Sequence, residues 1–241
     1  MTVTARAIPM LSDNYAWLLI DSVTGQTGLV DPAEAAPAIA VLEALGKTLD
    51  FIFLTHHHAD HIGGVPGLVA RYHPLVVGNK ADAARLPTLD IAVGEDSTVA
   101  FGAAKVKVIE TPGHTLGHIA YYIADGGLLL PGDTLFSLGC GRLFEGSAAQ
   151  MFTSLAKFNA LPDDTLVCAG HEYTMANAKF ALSVDSDNAA LQARASAVEA
   201  LRSKGQPSLP VTLGEERATN PFLRAKTIEA LAQRRQAKDQ F

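Results

Sequence analysis

Phe51-Ile52-Phe53-Leu54-Thr55-His56-His57-His58-Ala59-Asp60-His61-Ile62-Gly63-Gly64 decides how the rest of this chain is read. Its first four residues are apolar, two of them aromatic and one β-branched, and they predict a short buried strand. A run of imidazoles with one carboxylate follows without a break. In an extended loop alternate side chains share a side, so His56 and His58 can converge on one metal ion. Asp60 and His61 come next, as the chain turns toward a helix, and can face a second ion. Gly63 and Gly64 permit the tight backbone needed there. Imidazole and carboxylate are ligand types that zinc and related divalent ions accept. Taken alone, the motif would also suit a solvated loop or one that binds metal adventitiously.

Two further motifs extend the pattern. Thr111-Pro112-Gly113-His114-Thr115-Leu116-Gly117-His118 also follows a strand-like segment. Asp133, in Pro131-Gly132-Asp133-Thr134, and His171, in Ala169-Gly170-His171-Glu172-Tyr173, stand singly at the ends of two more. Loops at one end of a sheet can share a crevice. His56, His58, His61, His114 and His171 with Asp60 and Asp133 would then supply two ions, one carboxylate lying between them. His57 and His118 read as supporting groups, because metal ligands need partners of their own. His73, the last of the eight histidines, reads as a structural hydrogen-bonder. Cys140 has no evident base beside it apart from the ligand candidates and reads as structural.

Apolar segments at 15–20, 27–30, 51–54, 75–77, 106–109, 119–123, 128–130 and 166–168 have β-branched and aromatic content, with Gly, Pro and Asp at their ends, and predict strands. Helical patterns fall between some of them, at 33–45, 67–72 and 148–158. Ser147 with Gln150 forms a capping-box pattern before the last. Residues 1–170 are therefore predicted to be a mixed α/β layered domain. After about His171 the texture changes. Leu191, Ala195, Val198 and Leu201 repeat at helical spacing until Gly205, a helix stop. Thr212 with Glu215 suggests another cap, and 227–235 is helical in pattern. No strand pattern is visible there, so residues 171–241 are predicted to be a small helical domain packed on the first.

The 241 residues are 48% hydrophobic and 18% charged, a globular composition. A formal charge of −6 gives no general attraction to nucleic acid or anionic membrane. No apolar run approaches the roughly 18 to 20 residues that span a bilayer, and residues 1–10 lack a secretory pattern. Two cysteines, unpaired in any motif, make a reduced, cytoplasmic protein the default reading. A monomer is the default assembly.

His56-x-His58-x-Asp60-His61 with His114, Asp133 and His171 is similar to the metal-binding signature of the metallo-β-lactamase superfamily. The resemblance implies a four-layer αββα sandwich: two mixed sheets packed together, helices outside, metals at one edge. It also implies that His56, His58 and His114 hold one ion, that Asp60, His61 and His171 hold the other, and that Asp133 bridges them. Thr55 to Gly64, Gly132-Asp133-Thr134-Leu135-Phe136, Gly139-Cys140-Gly141-Arg142, His171-Glu172-Tyr173-Thr174, Asn220-Pro221-Phe222-Leu223-Arg224 and Lys238-Asp239-Gln240-Phe241 narrow it. With these the chain resembles the hydroxyacylglutathione hydrolase (glyoxalase II) family from end to end.

That family implies a thioester hydrolase converting S-D-lactoylglutathione and water to D-lactate and glutathione. A hydroxide shared by the two ions would be the nucleophile, with Asp60 and Asp133 acting in catalysis through it. The metal identity (zinc, iron or manganese) is left open by the ligand types. Glutathione would be bound by Arg142, Tyr173, Arg235 and Lys238. By residue type alone Arg234, Arg235 and Lys238 suit solvent and the helix dipole as well as a ligand. The chain departs from the family in carrying Arg142 where Lys is frequent, and Phe144 where Tyr is frequent. Arg still clamps a carboxylate; Phe144 cannot donate a hydrogen bond. The rival readings are another enzyme of the superfamily, such as a lactonase, β-lactamase, persulfide dioxygenase or nuclease, and a non-catalytic metal-binding protein on the same scaffold.

Overall fold

The computed structural model describes residues 2–241. Strands β1 (Val3–Met10), β2 (Asn14–Asp21), β3 (Thr27–Val30), β4 (Phe51–Phe53), β5 (Leu75–Asn79) and β6 (Ile91–Val93) form one sheet in that order. β1, β2 and β3 pair antiparallel, and β3 to β6 pair parallel. The second sheet contains β7 (Thr98–Phe101), β8 (Ala104–Glu110), β9 (Ile119–Ile123) and β10 (Leu128–Leu130). A two-stranded hairpin, β11 (Leu135–Phe136) with β12 (Gly139–Cys140), follows. β13 (Leu166–Val167) then pairs parallel with β10, and β14 (Val211–Thr212) closes that edge.

Strand sidedness explains the continuous apolar runs. On β4, Phe51 and Phe53 face the core between the sheets, whereas Ile52 faces the other way. On β2, Trp17 and Leu19 face inward and Ala16 and Leu18 outward. A period of two with both faces buried gives an unbroken hydrophobic segment. Between the sheets Phe53 meets Phe101 and Tyr121 edge-on, at ring-centroid distances of 6.0 and 5.3 Å. Side chains of this size each contribute about 1.5–3 kcal/mol by burial. On the outer face of the first sheet lie α1 (Ala35–Ala44) and α3 (Val65–Tyr72), whose Leu42 and Leu68 are fully buried. The inter-sheet core continues to Met151 and Leu155 of α4 (Ala148–Lys157). The four-layer αββα arrangement is therefore the one observed, and the predicted Ser147–Gln150 capping box is present in full at the start of α4.

Beyond His171 come α5 (Thr174–Val184), α6 (Ala189–Arg202), α7 (Leu213–Thr219) and α8 (Ile228–Asp239). Thr212 caps α7 by accepting a hydrogen bond from the Glu215 N–H, as the sequence suggests. The expectation that this region holds no strand is corrected by β14. Two residues are too short to show an alternating pattern, and their extended form comes from pairing with β13. Glu172 joins the two regions as well, accepting hydrogen bonds from Tyr15 Oη and Ser208 N–H. Strands β1, β6, β7, β11 and β12 and helix α5 lie outside the sequence-predicted segments. No helix among the described residues is long and apolar enough to cross a membrane.

Candidate metal centre

Four strands deliver the donor side chains from their C-terminal ends: β4 leads to His56 and His58, β8 to His114, β10 to Asp133 and β13 to His171. A short helix, α2 (Ala59–Ile62), places Asp60 and His61 in one turn. Backbone demands are local. Gly132 has φ +49°, and a Cβ there would stand 2.9 Å from His118 Nε2, so the turn into Asp133 needs glycine. At Gly170 a Cβ would stand 2.9 Å from Asp133 Oδ1, which lets the β13 chain pass close beneath the carboxylate.

All seven candidate ligands meet in one cluster. His58 Nδ1 lies 3.1 Å from His56 Nε2 and 3.0 Å from His114 Nε2. His61 Nε2 lies 3.2 Å from His171 Nε2, and Asp60 Oδ2 is 3.7 and 3.5 Å from these two nitrogens. Asp133 stands between the groups: Oδ1 is 3.4 Å from His61 Nε2, and Oδ2 is 3.4 Å from His114 Nε2 and 3.5 Å from His171 Nε2. Donors 2.0–2.1 Å from a tetrahedral ion stand roughly 3.3–3.4 Å apart. The observed spacings bracket that value. Asp133 Oδ1 is also buried with no hydrogen-bond partner among the described residues. A divalent metal accounts for both observations, and these His and Asp groups fit one.

The outward nitrogens of four histidines are engaged. His114 Nδ1–H donates to the Arg142 carbonyl at 2.9 Å, which leaves Nε2 with a free lone pair. His61 Nδ1 meets Asp31 Oδ2 at 3.0 Å, His171 Nδ1 meets Asp13 Oδ1 at 2.9 Å, and His56 Nδ1 meets Thr55 Oγ1 at 2.9 Å. Such partners fix tautomer and ring orientation. Asp31 also accepts from the Thr55 N–H at 2.8 Å and from Thr55 Oγ1 at 2.6 Å, binding the loop to the end of β3.

Charge is arranged for cations. Burial, followed by neighbouring imidazoles, holds His56 and His118 neutral, well below the ordinary histidine range. Burial lowers His58 and His114 too. At His61 burial opposes the proton, but the Asp133, Asp31 and Asp60 carboxylates outweigh it and raise the pKa to about 9. Burial works against the Asp133 carboxylate, yet His61, His171 and His114 keep it ionised, below the usual carboxylate range.

His57 and His118 stand apart from the donor set, in the supporting roles read for them. His57 Nδ1–H donates to Asp82 at 2.9 Å. His118 is buried between Thr111 and Thr134 and accepts from the Asp133 N–H at 3.1 Å. His73 departs from its reading: it ends α3 in the left-handed conformation (φ 52°) and its side chain is exposed. The sequence reading missed Asp13, Asp31, Thr55, Thr111 and Thr134. Asp31 and Thr111 follow strands directly, a signal available in the sequence; Asp13, in the turn before β2, carries none.

Five of the seven candidate donors, His58, Asp60, His114, Asp133 and His171, line a cavity of about 660 Å³. Arg142, Tyr173, Arg235 and Lys238 line the same cavity. Arg235 is only 6% exposed. Its Nη1 donates to the Cys140 carbonyl at 2.7 Å and Nη2 to Asp239 at 2.9 Å, while the guanidinium lies 5.4 Å from the Phe222 ring centre. The solvated-face alternative does not hold for this residue; Arg234, half-buried, bonds the Pro221 carbonyl and lines a different hollow. Lys238 Nζ donates to the Ala176 carbonyl at 3.1 Å and sits 5.4 Å from both the Phe180 and Phe241 ring centres. Arg142 reaches Asp239 at 3.6 Å. Tyr173 stacks on His171 at 4.5 Å, and Phe144, largely exposed, stands edge-on to His58 and His114. Cys140 is buried, and burial pushes its thiol up to about 11, in keeping with its structural reading.

Comparison with known proteins adds an independent line. The family model described as Metallo-beta-lactamase superfamily matches residues 13–171, and that described as Hydroxyacylglutathione hydrolase C-terminus matches residues 172–241. The chain is 53% identical to a hydroxyacylglutathione hydrolase of Acidiphilium cryptum, over 99% of this chain and 97% of the relative. Among solved structures, ETHE1 from Myxococcus xanthus is similar with a TM-score of 0.74 and 28% identity, covering 97% of this chain and 90% of that one. TTHA1623, solved in a di-iron-bound form, has a TM-score of 0.66 and 26% identity over 91% of this chain and 99% of its own.

Proposed function

The chain belongs to the hydroxyacylglutathione hydrolase family of the metallo-β-lactamase superfamily, and from that premise we propose how its cavity carries out thioester hydrolysis. The reaction is that of glyoxalase II: S-D-lactoylglutathione and water give D-lactate and glutathione. The observation that carries the reading is that five of the seven candidate donors, His58, Asp60, His114, Asp133 and His171, share one cavity with Arg142, Arg235 and Lys238.

His56, His58 and His114 would hold one divalent ion, Asp60, His61 and His171 a second, and Asp133, whose carboxylate stands between the two groups, would be shared by both. Ions held there would supply a water of lowered pKa and a Lewis acid for the carbonyl oxygen. The ligand chemistry suits zinc and equally iron or manganese. Arg142, Tyr173, Arg235 and Lys238 would bind glutathione, whose carboxylates call for cationic partners. With the tripeptide anchored there, the thioester carbon is brought to the donor end in a fixed orientation. The leaving thiolate is a weak base, with a conjugate-acid pKa of about 8.5, so departure needs no strong general acid. The Arg142 carbonyl, Asp31 and Asp13 engage the outward Nδ1 of His114, His61 and His171, so that Nε2 is the ring nitrogen each would turn toward an ion. A cytoplasmic monomer acting on this small molecule, without nucleic acid or membrane, completes the proposal.

Hydrolysis of S-D-lactoylglutathione, followed by loss of thioester absorbance with metal content measured on the same sample, tests it. Turnover that is lost on chelation and returns with added metal is the expected result. A sample with two ions and no turnover would sink the substrate assignment while leaving the hydrolytic centre intact.

A further inference from the structure

Arg85 lies outside the donor cluster and outside the cavity lining, yet it connects three loops that surround one group of donors. It follows the short turn Lys80–Asp82 at the end of β5. Asp82 is buried; its Oδ2 accepts from His57 Nδ1–H at 2.9 Å and its Oδ1 from Arg85 Nε at 2.5 Å. Gly117, one residue before His118, makes room for it, because a Cβ there would stand 2.5 Å from Asp82 Cβ. The rest of the Arg85 guanidinium forks onto Glu145, with Nη1 on Oε1 and Nη2 on Oε2, the latter at 3.2 Å. Glu145 Oε2 in turn accepts the Leu116 N–H at 2.8 Å.

Each loop tied in this way bears on the donors. His57 stands between His56 and His58. Leu116 and Gly117 belong to the loop of His114. Glu145 belongs to residues 141–147, in which the Arg142 carbonyl accepts His114 Nδ1–H and the Phe144 ring stands 5.6 and 5.2 Å from those of His58 and His114. The Gly146 N–H also donates to the Gly113 carbonyl at 3.1 Å. A lone exposed ion pair would contribute little. Here one guanidinium spans two carboxylates, bidentate on one, and one of the two is buried.

We propose that Arg85, with Asp82 and Glu145, is a positioning clamp: it holds the His114 loop and residues 141–147 in register with the His56–His58 loop, setting the first donor group and the adjoining cavity wall. The inference rests on the reading of His56, His58 and His114 as metal ligands. Loss of a supporting partner of a metal ligand costs about 10- to 100-fold in affinity or activity.

The test compares holoenzyme of the wild type with Arg85→Ala, Glu145→Ala and the double variant. Three quantities are measured: the chelator concentration that removes half the bound metal, kcat and KM for S-D-lactoylglutathione, and Tm. Each single variant is expected to lose metal at about 10- to 100-fold less chelator and to lose kcat/KM by a similar factor, chiefly in kcat. The double variant should be no worse than the weaker single, since both break one network. Arg85→Lys, which keeps the charge without the fork, should recover part of the loss. If Arg85→Ala misfolds, Glu145→Gln, of nearly the same shape, is read in its place. Single variants with wild-type chelator resistance and kcat, whatever their Tm, overturn the clamp, as does a double variant whose losses multiply. A wild type that holds no metal overturns the ligand reading itself, and is thereby told apart from failure of the clamp.

Discussion

At the donor end of the cavity, four imidazoles are fixed through their outward nitrogens by Asp31, Asp13, Thr55 and the Arg142 carbonyl, all within 3.0 Å. The cationic end is built otherwise. Arg235 is buried and tied by two strong hydrogen bonds, but Lys238 makes one bond at 3.1 Å and Arg142 only a 3.6 Å ion pair. The first end is preorganised; the second can re-form around a ligand. The difference fits what each end is proposed to hold. An ion tolerates little error in donor position, whereas a flexible anionic tripeptide can be met by side chains that still move.

Substitutions should register this contrast. Asp133→Ala removes the carboxylate shared by both donor groups; kcat should fall by more than about 100-fold, beyond the loss expected for a supporting residue. Metal analysis of the purified variant should show fewer ions per chain, and a variant with full metal content would break the contrast at its strong end. Asp31→Asn leaves every donor in place but weakens the hold on His61 and Thr55. Metal affinity should drop by about 10- to 100-fold in a chelator titration. Arg235→Ala should act differently, raising KM by about 10-fold or more with kcat nearly unchanged, the pattern of uniform binding. A large fall in kcat would show that this end, too, is tuned to the transition state. Lys238→Ala should raise KM only a few-fold, as befits a partly exposed charge worth about 1 kcal/mol or less. The smallest effect should come from Phe144→Tyr: kinetics on the lactoyl thioester are expected to shift by less than about threefold, because the hydroxyl is added to a largely exposed ring.

The two ends also differed in how far they could be read without a structure. Every candidate donor follows a strand end in a motif of Gly, His, Asp and Thr, so local pattern named all seven as candidates, and the fold brings them together. Their supports were harder: Asp31 is 30 residues from His61 and Asp13 is 158 from His171. Arg85 and Glu145, 60 residues apart, carried no pattern at all. By residue type alone Arg235 suited a solvated helix end as well as a ligand, and only the family resemblance singled it out; the fold sets Phe222, Cys140 and Asp239 around it. β14 was invisible because two residues cannot display a period, and its pairing partners, Leu166 for Thr212 and Val167 for Val211, lie far back in the chain.

The sequence by itself determined the layered α/β fold and the family and named the candidate donors, since hydrophobic period, turn chemistry and ligand type are all local properties of the chain. Only the tertiary structure decided which carboxylates and carbonyls fix the imidazoles, which arginine is buried, and how a strand from the helical region completes the second sheet. Those pairings depend on which surfaces meet when the two sheets close on one another, and contacts between residues so far apart leave no periodic trace in the chain.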